Sequence, residues 1–386
     1  MIDGAERSAR AAGDIATRAE RELEALVAIS SPSGDRDGAE EAVAVASALL
    51  PSAAEIERPP CSSPGHAPDL IARVGGTGRG RILLLGHLDT VIAHSAHRPL
   101  ERAGDRLVGS GANDMKGGVV LALGVLRAVA AAPEGHEEVA LLLVTDEEWR
   151  TAPFAHAARF EGFDACLCFE AGQLDPEGNE AVVVRRKAAG TLLVNARGVA
   201  AHSGSAPHQG RNALLALAAA AERVAARHDP AGADRLTAVP TILRSGEAFN
   251  VVPAEGELYC DLRADRLEAL EAVVGEVPED FEGVELTAGL ARRWPGMDAR
   301  AAAAPLVAEA SRRLGRPVVA AARGGASDAS HMATMVPVCV DGLGPRGGAA
   351  HNPEEYVSAD SIRPRAEVAL AVAGAALAMA DQAASR

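Results

Sequence analysis

The chain reads Ile82-Leu83-Leu84-Leu85-Gly86-His87-Leu88-Asp89, an apolar run that ends in an imidazole and a carboxylate. Two further apolar runs also end in acidic residues. Residues 139–144 are followed, after Thr145, by Asp146-Glu147-Glu148, and residues 165–169 are followed by Glu170. Such runs are typical of strands that are buried on both faces of a mostly parallel α/β sheet. In open sheets of this kind, ligands bind outside the carboxyl ends of the strands. We therefore expect these polar side chains to meet at one edge of a sheet.

Two more candidate ligands lie near glycines. Asp114 precedes a predicted helix within Gly-Ala-Asn-Asp-Met-Lys-Gly-Gly (111–118), and His351 follows the last predicted strand in a glycine-rich loop. Imidazole together with carboxylate suits Zn²⁺ and similar divalent ions such as Co²⁺ or Mn²⁺. A two-metal site needs about five side chains, one of which bridges the ions. The chain offers five such residues: His87, Asp114, Glu148, Glu170 and His351.

Two acidic residues remain beside this set. Glu147 is adjacent to a candidate ligand but on the opposite side of the chain, which leaves it free to act as a general base. Asp89 could accept the other imidazole N–H of His87, a contact that fixes the tautomer. Taken singly, a histidine after a strand, a pair of glutamates in a loop or an aspartate before a helix is more often structural. Their coincidence around one sheet edge favours a metal site.

The alternation of short apolar runs and predicted helices, typical of an α/β sheet, stops near residue 188 and resumes near 294. Between these points the predicted order is strand, helix, strand, strand, helix, strand, the βαββαβ (split βαβ) arrangement. The predicted segments are 189–197, 210–228, 236–243, 256–263, 264–276 and 283–289. We therefore predict an α/β domain formed by residues 1–187 and 294–386, interrupted by an α+β, ferredoxin-like domain at 188–293. The cluster Gly75–Gly80 lies between two predicted strands and indicates a hairpin turn.

Composition excludes several other classes of protein. The 386 residues are 48% hydrophobic and 24% charged, as in ordinary globular proteins, and suffice for two or three domains. A net charge of −15 disfavours a nucleic-acid partner. No apolar run is long enough to predict a membrane span, and the first residues do not resemble a signal peptide. The five scattered cysteines fit buried thiols in a cytoplasmic protein better than a disulfide framework.

Several motifs carry a resemblance to a known family. They are Gly-His-Leu-Asp-Thr-Val (86–91), residues 111–118 as quoted above, Thr-Asp-Glu-Glu (145–148), Phe-Glu-Ala (169–171), Ala-Ala-His-Ser-Gly (200–204), Asn-Val-Val-Pro-Ala (250–254), Asp-Leu-Arg (261–263), Gly-Gly-Ala-Ser-Asp-Ala (324–329) and Asp-Gly-Leu-Gly-Pro-Arg-Gly-Gly-Ala-Ala-His (341–351). Together they resemble the zinc-dependent aminoacylase/carboxypeptidase family, which includes acetylornithine deacetylase, succinyl-diaminopimelate desuccinylase and the glutamate carboxypeptidases. The last two motifs favour the glutamate carboxypeptidase branch.

The resemblance implies a zinc-exopeptidase-like catalytic domain that binds two zinc ions. It assigns His87 and Glu170 to one ion and Glu148 and His351 to the other. It makes Asp114 the bridging ligand and implies a cis peptide bond between Asp114 and Met115. Glu147 would activate the bridging water and later protonate the leaving amine.

The resemblance also makes the inserted domain a lid and dimerisation domain of a homodimer. His202 would reach the partner subunit's active site and stabilise an oxyanion, although a histidine in a loop can be purely structural. Asn250 and Arg263 resemble contacts to a substrate carboxylate, and Gly324 and Gly325 could offer backbone N–H groups to it. The alternatives are a surface charge at the end of a strand for Arg263 and a tight turn for the two glycines.

Two segments depart from the family pattern. Trp149-Arg150-Thr151 follows the acidic pair, where the family has small residues, so we expect an altered substrate pocket. Arg186-Lys187-Ala188 stands where the family often has Arg-Lys-Gly, and either basic residue would add positive charge if it faced the substrate.

The expected activity is metal-dependent hydrolysis of an amide bond in a small substrate that bears a free carboxylate. The preferred form is a carboxypeptidase that releases glutamate or another amino acid. The alternative is an N-acyl-amino-acid deacylase of biosynthesis. A more remote alternative is a non-catalytic protein that binds carboxylated ligands.

Overall fold

The strand Arg81–His87 is an inner strand of a six-stranded sheet in the computed structural model, which describes residues Gly4–Ala383 and the side chains of residues 6–381. Its neighbours Glu138–Val144 and Ala165–Cys168 both run parallel to it. Val338–Val340 extends the parallel part beside Ala165–Cys168. The predicted α/β sheet is confirmed, and its parallel strands place their carboxyl ends side by side.

The other edge of this sheet is antiparallel. Leu70–Gly75 pairs with Glu138–Val144, and Glu55–Glu57 pairs with Leu70–Gly75 at the edge. The predicted hairpin at Gly75–Gly80 is wrong, because Glu138–Val144 lies between the two strands that these glycines connect. Glu138–Val144 has hydrogen-bonded neighbours on both sides, and its residues 139–144 are buried throughout.

The chain divides into two compact units, each with its own internal contacts. The first comprises Met1–Arg185, Asp298–Ala322 and Ser327–Arg386, and the second comprises Arg186–Met297 and Arg323–Ala326. Residues 323–326 were not predicted to belong with the inserted segment. The domain boundaries at 188 and 293 stay a prediction.

Helices of the first unit pack against its six-stranded sheet. Gly4–Val27, Gly117–Ala130 and Ala359–Ala383 contact one another, and the last two also contact Arg81–His87. The remaining helices of this unit are Arg36–Ala48, Arg300–Leu314 and Ala329–Met332. Its shorter or peripheral strands include Glu101–Ala103, Arg106–Val108, Gln173–Leu174, Glu180–Arg186, Val318–Arg323, Gly347–Gly348 and Tyr356–Ser358.

The second unit is a five-stranded antiparallel sheet with two helices. The order across the sheet is Thr237–Ser245, Glu255–Ala264, Ala188–Arg197, Val284–Trp294, Asp280–Phe281. The helices Ala213–Ala225 and Leu267–Val274 pack on this sheet, and Ala201–His202 pairs separately with Val251–Val252. This order confirms the predicted βαββαβ arrangement.

One face of the second unit's sheet is buried and the other is open. Along Ala188–Arg197, Leu192, Val194 and Ala196 are buried with the helices, whereas Asn195 and Arg197 are exposed. This alternation follows from the two-residue period of a strand. Asn212 caps the first helix, since its side chain accepts hydrogen bonds from two backbone N–H groups of the first turn.

Two further observations concern the whole described range. Within Gly4–Ala383, none of the helices combines the length and apolarity needed to cross a membrane. All five cysteines are free thiols, and four of them are buried. The four are Cys166, Cys168, Cys260 and Cys339, as expected for small apolar side chains in strands.

Candidate metal centre

The candidate ligands come from neighbouring strand ends of the first unit. His87 is the last residue of its strand and lies opposite Val144, after which the chain continues to Glu147 and Glu148. On the other side, Phe169 N–H donates to Leu85 O at 3.0 Å, which places Glu170 beside the same edge. The parallel pairing therefore gathers an imidazole and several carboxylates, as the sequence pattern predicts.

Asp114 reaches this edge from an irregular turn before the helix Gly117–Ala130. Gly111 has φ +71°, a left-handed conformation that favours glycine. The Asp114–Met115 peptide bond is cis, as the family resemblance implies. Gly118 allows the helix to approach the strand end, because a Cβ there would lie 1.8 Å from Phe169 O.

The two carboxylate oxygens of Asp114 face different imidazoles. Its Oδ1 lies 3.2 Å from His87 Nε2, and its Oδ2 lies 3.2 Å from His351 Nε2. Glu148 Oε2 is 3.3 Å from His351 Nε2, and Glu170 Oε1 is 3.9 Å from His87 Nε2. The five predicted ligands thus form two groups, His87 with Glu170 and His351 with Glu148, that share Asp114.

The two ends of this cluster differ in exposure. The side chain of His87 is 1% exposed, whereas that of His351 is 52% exposed. Glu170 and Glu148 lie between these limits, at 13% and 8%. The cluster is therefore open to solvent on the His351 side, where a small molecule could enter.

Asp89 contacts the ring of His87 and the backbone of the acidic pair Glu147-Glu148. His87 Nδ1 lies 3.0 Å from the main-chain oxygen of Asp89 and 3.3 Å from its Oδ1. The two carboxylate oxygens of Asp89 accept the N–H groups of Glu147 and Glu148 at 3.1 and 3.0 Å. With its Nδ1 directed at Asp89, His87 is oriented so that Nε2 faces Asp114.

The charges in the cluster perturb one another. Burial alone would raise the pKa of Asp114, but hydrogen bonds and charge from His351 and His87 outweigh it and hold the pKa below its ordinary value. Hydrogen bonds to Asp114 and Glu148 raise the pKa of His351 to about 10. The carboxylates therefore stabilise a positive charge in this cluster strongly.

These residues fit divalent metal ions. Donor atoms of His87, Asp114 and Glu148 all lie within 4.8 Å of one another, close enough to bind metal ions that share Asp114. The donors are imidazole nitrogens and carboxylate oxygens, the types that bind Zn²⁺, Co²⁺ or Mn²⁺. Cations would also offset the repulsion among the carboxylates around the two imidazoles, those of Asp114, Glu147, Glu148 and Glu170.

Glu147 belongs to the same acidic cluster. Burial raises its pKa well above the ordinary value, and the charges of Asp328, Glu170 and Glu148 raise it further, while His87 opposes them. Asp328 lies in the family motif at 324–329, but its spacing in the sequence does not indicate a role. Only the fold brings Asp328 near Glu147, because the two residues are far apart in the chain.

Arg150, in the segment that departs from the family pattern, is held by ion pairs beside the acidic turn. It is buried, and its Nη2 donates to Asp146 Oδ1 at 2.9 Å and to Asp328 Oδ2 at 2.8 Å. The guanidinium also lies over the ring of Phe154. Arg150 is thus committed to structural ion pairs beside the acidic turn, whereas Trp149 is exposed.

The remaining predicted site residues lie in the second unit. His202 is exposed, and its Nδ1 accepts the N–H groups of Gly204 and Ser205 at 3.1 and 3.2 Å. Asn250 is exposed, and its main-chain oxygen accepts from Ser203 N. Arg263 is half-buried and forms a bidentate pair with Asp261.

The loop that contains Gly324 and Gly325 is fixed within the second unit. Arg186 is buried and donates to Gly325 O at 2.9 Å. Lys187 Nζ donates to Arg235 O at 2.6 Å. Both basic residues that could have faced a substrate are therefore engaged with main-chain oxygens, and Arg186 instead supports the glycine loop.

A comparison with known families decides the relationship. Residues 83–375 match the model of peptidase family M20/M25/M40, which is most of the chain. The chain belongs to this family. Members of this family are metal-dependent hydrolases. The group of candidate metal ligands around Asp114 fits that chemistry.

Relatives of this M20 chain include a carboxypeptidase and a desuccinylase. Carboxypeptidase G2 of Pseudomonas sp. (strain RS-16) is 27% identical over 362 residues, covering 89% of this chain and 85% of the relative. Succinyl-diaminopimelate desuccinylase of Xanthomonas campestris pv. campestris is 31% identical over 308 residues, covering 73% and 80%. The chain thus resembles both a carboxypeptidase and a desuccinylase.

Solved structures support the fold of this M20 chain. Aminopeptidase PepT of Bacillus cereus superposes with a TM-score of 0.75 at 20% identity, covering 94% of this chain and 98% of that one. The M20 family metallo-carboxypeptidase Sso-CP2 of Sulfolobus solfataricus superposes with a TM-score of 0.69 at 16% identity, covering 92% and 98%. The expected fold class is confirmed.

Proposed function

We propose that this M20 chain is a dinuclear zinc amidohydrolase that releases an amino acid from a small N-acyl or peptidyl amide. The observation that carries the proposal is the position of Asp114, with one carboxylate oxygen toward His87 and the other toward His351. A bridging carboxylate between two terminal ligand pairs is the arrangement that two-metal hydrolases need.

The proposed ligand sets follow the two groups around Asp114. His87 and Glu170 would hold one ion, Glu148 and His351 would hold the other, and Asp114 would contribute one carboxylate oxygen to each. Bound at such a site, two divalent ions lower the pKa of a water molecule and polarise a carbonyl. Zn²⁺ is the proposed metal, and Co²⁺ or Mn²⁺ would suit the same donors.

Glu147 is the proposed general base. Its backbone N–H is fixed by Asp89, which also orients His87, so the base and a ligand share one support. Glu147 accepts the proton of the attacking water and passes it to the leaving nitrogen. A carboxyl group whose pKa is raised by burial is suited to both steps.

His202 is the proposed oxyanion donor. Two backbone N–H groups donate to its Nδ1, so the neutral ring carries its proton on Nε2. An exposed Nε2–H can donate to the oxyanion of a tetrahedral intermediate.

The substrate carboxylate is proposed to bind Arg263 and Asn250, with backbone N–H groups of Gly324 and Gly325 as further donors. Arg263 forms a bidentate pair with Asp261, so its guanidinium is oriented to bind a carboxylate through two hydrogen bonds. A substrate carboxylate would compete with Asp261 for this guanidinium.

We propose a homodimer formed through the second unit. Its edge strand Thr237–Ser245 exposes Val239, Ile242 and Leu243, and the adjacent helix exposes Leu214 and Leu215. An apolar edge strand has unpaired N–H and C=O groups that a second copy can pair. In this proposal, His202 of each subunit serves the metal centre of its partner.

The proposed leaving group is glutamate or another amino acid, because residues 324–329 and 341–351 resemble the glutamate carboxypeptidase branch and one relative of this chain is a carboxypeptidase. The second candidate is an N-acyl-amino-acid deacylase, which the desuccinylase relatives favour. Both use the same site chemistry and differ in which side of the amide is recognised. The cytoplasmic location expected from the cysteine pattern stays a prediction.

Hydrolysis of a small amide panel by the zinc-loaded protein tests the proposal. The panel contains N-acyl-glutamates, N-succinyl and N-acetyl amino acids with basic or apolar side chains, and simple dipeptides. We expect cleavage of one group, abolished by a chelator and restored by Zn²⁺. Cleavage confined to N-succinyl or N-acetyl amino acids would favour the deacylase, and saturable binding without any cleavage would contradict the enzymatic proposal.

A further inference from the structure

Glu355 is a buried carboxylate that the proposed chemistry does not use. It is 1% exposed and lies four residues after His351. A carboxylate removed from water is costly unless hydrogen bonds or opposite charge compensate it. Its partners therefore indicate what the residue does in the fold.

The partners of Glu355 are backbone N–H groups around Asp114. Its Oε1 accepts from Asn113 N and Asp114 N, both at 2.8 Å, and its Oε2 accepts from Gly111 N at 3.3 Å. The turn Ala112–Lys116 has non-helical φ/ψ angles at Asp114 and Met115, so a regular helical ladder does not satisfy these donors. One carboxylate thus replaces the missing internal acceptors.

The main chain of Glu355 is tied to the same segment. Its carbonyl oxygen accepts from Gly109 N at 3.0 Å. The strand Tyr356–Ser358 then pairs antiparallel with Arg106–Val108, which leads into the Asp114 turn. Glu355 therefore stands on the loop that contains His351 and holds the turn that contains Asp114 by both side chain and main chain.

A buried lysine lies in the same turn. Lys116 is fully buried, donates from Nζ to Ile29 O at 2.7 Å, and interacts electrostatically with Glu355. Simple filling of space would not require a carboxyl group at position 355, whereas the three backbone N–H groups require a well-positioned acceptor there.

We propose that Glu355 is a positioning residue of the metal centre, which fixes the backbone of Asp114 so that its two oxygens face His87 and His351. The inference rests on the proposed two-metal function. Because both oxygens of Asp114 lie 3.2 Å from an imidazole, a shift of its backbone would change both metal sites together. Loss of a terminal ligand such as His351 would change mainly one.

A cobalt titration of the metal-free protein tests the role without relying on turnover. The variant is Glu355→Gln, and the matched control is Glu354→Gln, whose exposed side chain pairs with Arg98. We expect both Co²⁺ dissociation constants of E355Q to rise about 10–100-fold, the usual effect of losing a residue that orients a ligand. The visible Co²⁺ spectrum should change as well, whereas E354Q should match wild type.

The measurement is made well below the melting temperature of each metal-free protein. If E355Q does not fold, Glu355→Asp decides by the same titration, because it keeps the charge but retracts the carboxylate from the turn. A lower melting temperature with both dissociation constants unchanged would overturn the inference. Failure of wild type to bind two Co²⁺ ions would remove the two-metal function and this inference with it, whereas equal titrations of wild type and variant would remove only the inference.

Discussion

Glu147 is the residue whose removal separates metal binding from catalysis. In the proposed mechanism it moves protons and binds no metal, so Glu147→Gln should retain both ions. We expect turnover to fall by about 10²–10⁴-fold, the usual contribution of a general acid–base. Turnover and metal content, measured on the same preparation, check this expectation.

The matched control for this variant is Glu161→Gln, an exposed glutamate of the same unit. Its turnover and metal content should equal those of wild type. Wild-type turnover in the Glu147 variant would exclude Glu147 from the mechanism. Loss of one metal ion from that variant would instead place Glu147 among the ligands.

The pKa of His351 predicts how pH affects metal binding. Without metal, Asp114 and Glu148 raise this pKa to about 10, so the imidazole is protonated at neutral pH. A metal ion must displace that proton, and its apparent affinity should therefore rise as pH rises toward 10 and fall as pH drops. Calorimetric titration with Zn²⁺ in buffers of different ionisation enthalpy should detect the released proton.

His351→Gln provides the comparison for this pH dependence. It removes the titrating group, so fewer protons should be released on binding at pH 7. Equal proton release by wild type and variant would show that His351 is not a ligand that must lose a proton.

At the scale of single residues, the sequence predicted which imidazole and carboxylate side chains lie together. It did not predict the contacts that hold them in place. His87, Glu148 and Glu170 could be found because each follows an apolar strand. Asp328 and the buried ion pairs of Arg150 could not, because they depend on contacts between segments that are remote in the chain. Local spacing contains no information about such contacts.

Among the elements, the helix Gly117–Ala130 must approach a strand end closely to present Asp114. A Cβ at Gly118 would lie 1.8 Å from Phe169 O, so Gly118→Ala must displace the helix or the strand. We expect a loss of about 1–3 kcal/mol in the free energy of unfolding, typical of overpacking, together with weaker metal binding. Urea denaturation of the metal-free protein measures the first effect.

Gly13→Ala is the control for this substitution. Gly13 also lies within a helix, Gly4–Val27, but nothing occupies the space within 4 Å of a Cβ there. We expect it to be neutral or to stabilise the protein by about 0.5–1 kcal/mol, because alanine loses less backbone entropy than glycine on folding. Equal effects of the two substitutions would contradict the close approach at Gly118.

Element identity was predicted well, but one strand pairing was not. The strand predicted at 82–85 is Arg81–His87, and the helix predicted at 210–228 is Ala213–Ala225, since apolar periodicity determines where such segments can be buried. The pairing across Gly75–Gly80 was wrong because strand order depends on a later strand, Glu138–Val144. Turn residues show where a chain bends but not which strands become neighbours.

For the whole molecule, the proposed dimer predicts that a monomeric variant has lower turnover than the dimer. Replacing Leu215 and Ile242 by arginine and lysine places charge on the exposed apolar surface of the second unit. We expect the variant to be a folded monomer with strongly reduced turnover, because His202 would no longer reach a partner. Light scattering, circular dichroism and turnover together check this.

Leu174→Lys is the control, since this leucine is similarly exposed but belongs to the first unit. It should leave both the oligomeric state and turnover unchanged. A monomeric double variant with wild-type turnover would refute the role of His202 across the dimer.

At this scale the sequence predicted an insertion from a change in hydrophobic periodicity. Strands of a parallel α/β sheet and strands of an antiparallel α+β domain have different periodicities. The sequence did not assign residues 323–326 to the second unit. That short segment has no periodicity of its own, and the contact of Gly325 O with Arg186 becomes visible only in the fold.

The segmented first unit has a consequence for biosynthesis. Asp114 leaves the ribosome before the long segment Arg186–Met297, and His351 leaves after it. The second unit's main segment is continuous and can fold while the first unit still lacks two of its three segments. A nascent chain therefore carries four of the five proposed ligands for much of its translation without the histidine that completes the set. We expect zinc to be captured in its final geometry only after translation has passed residue 351.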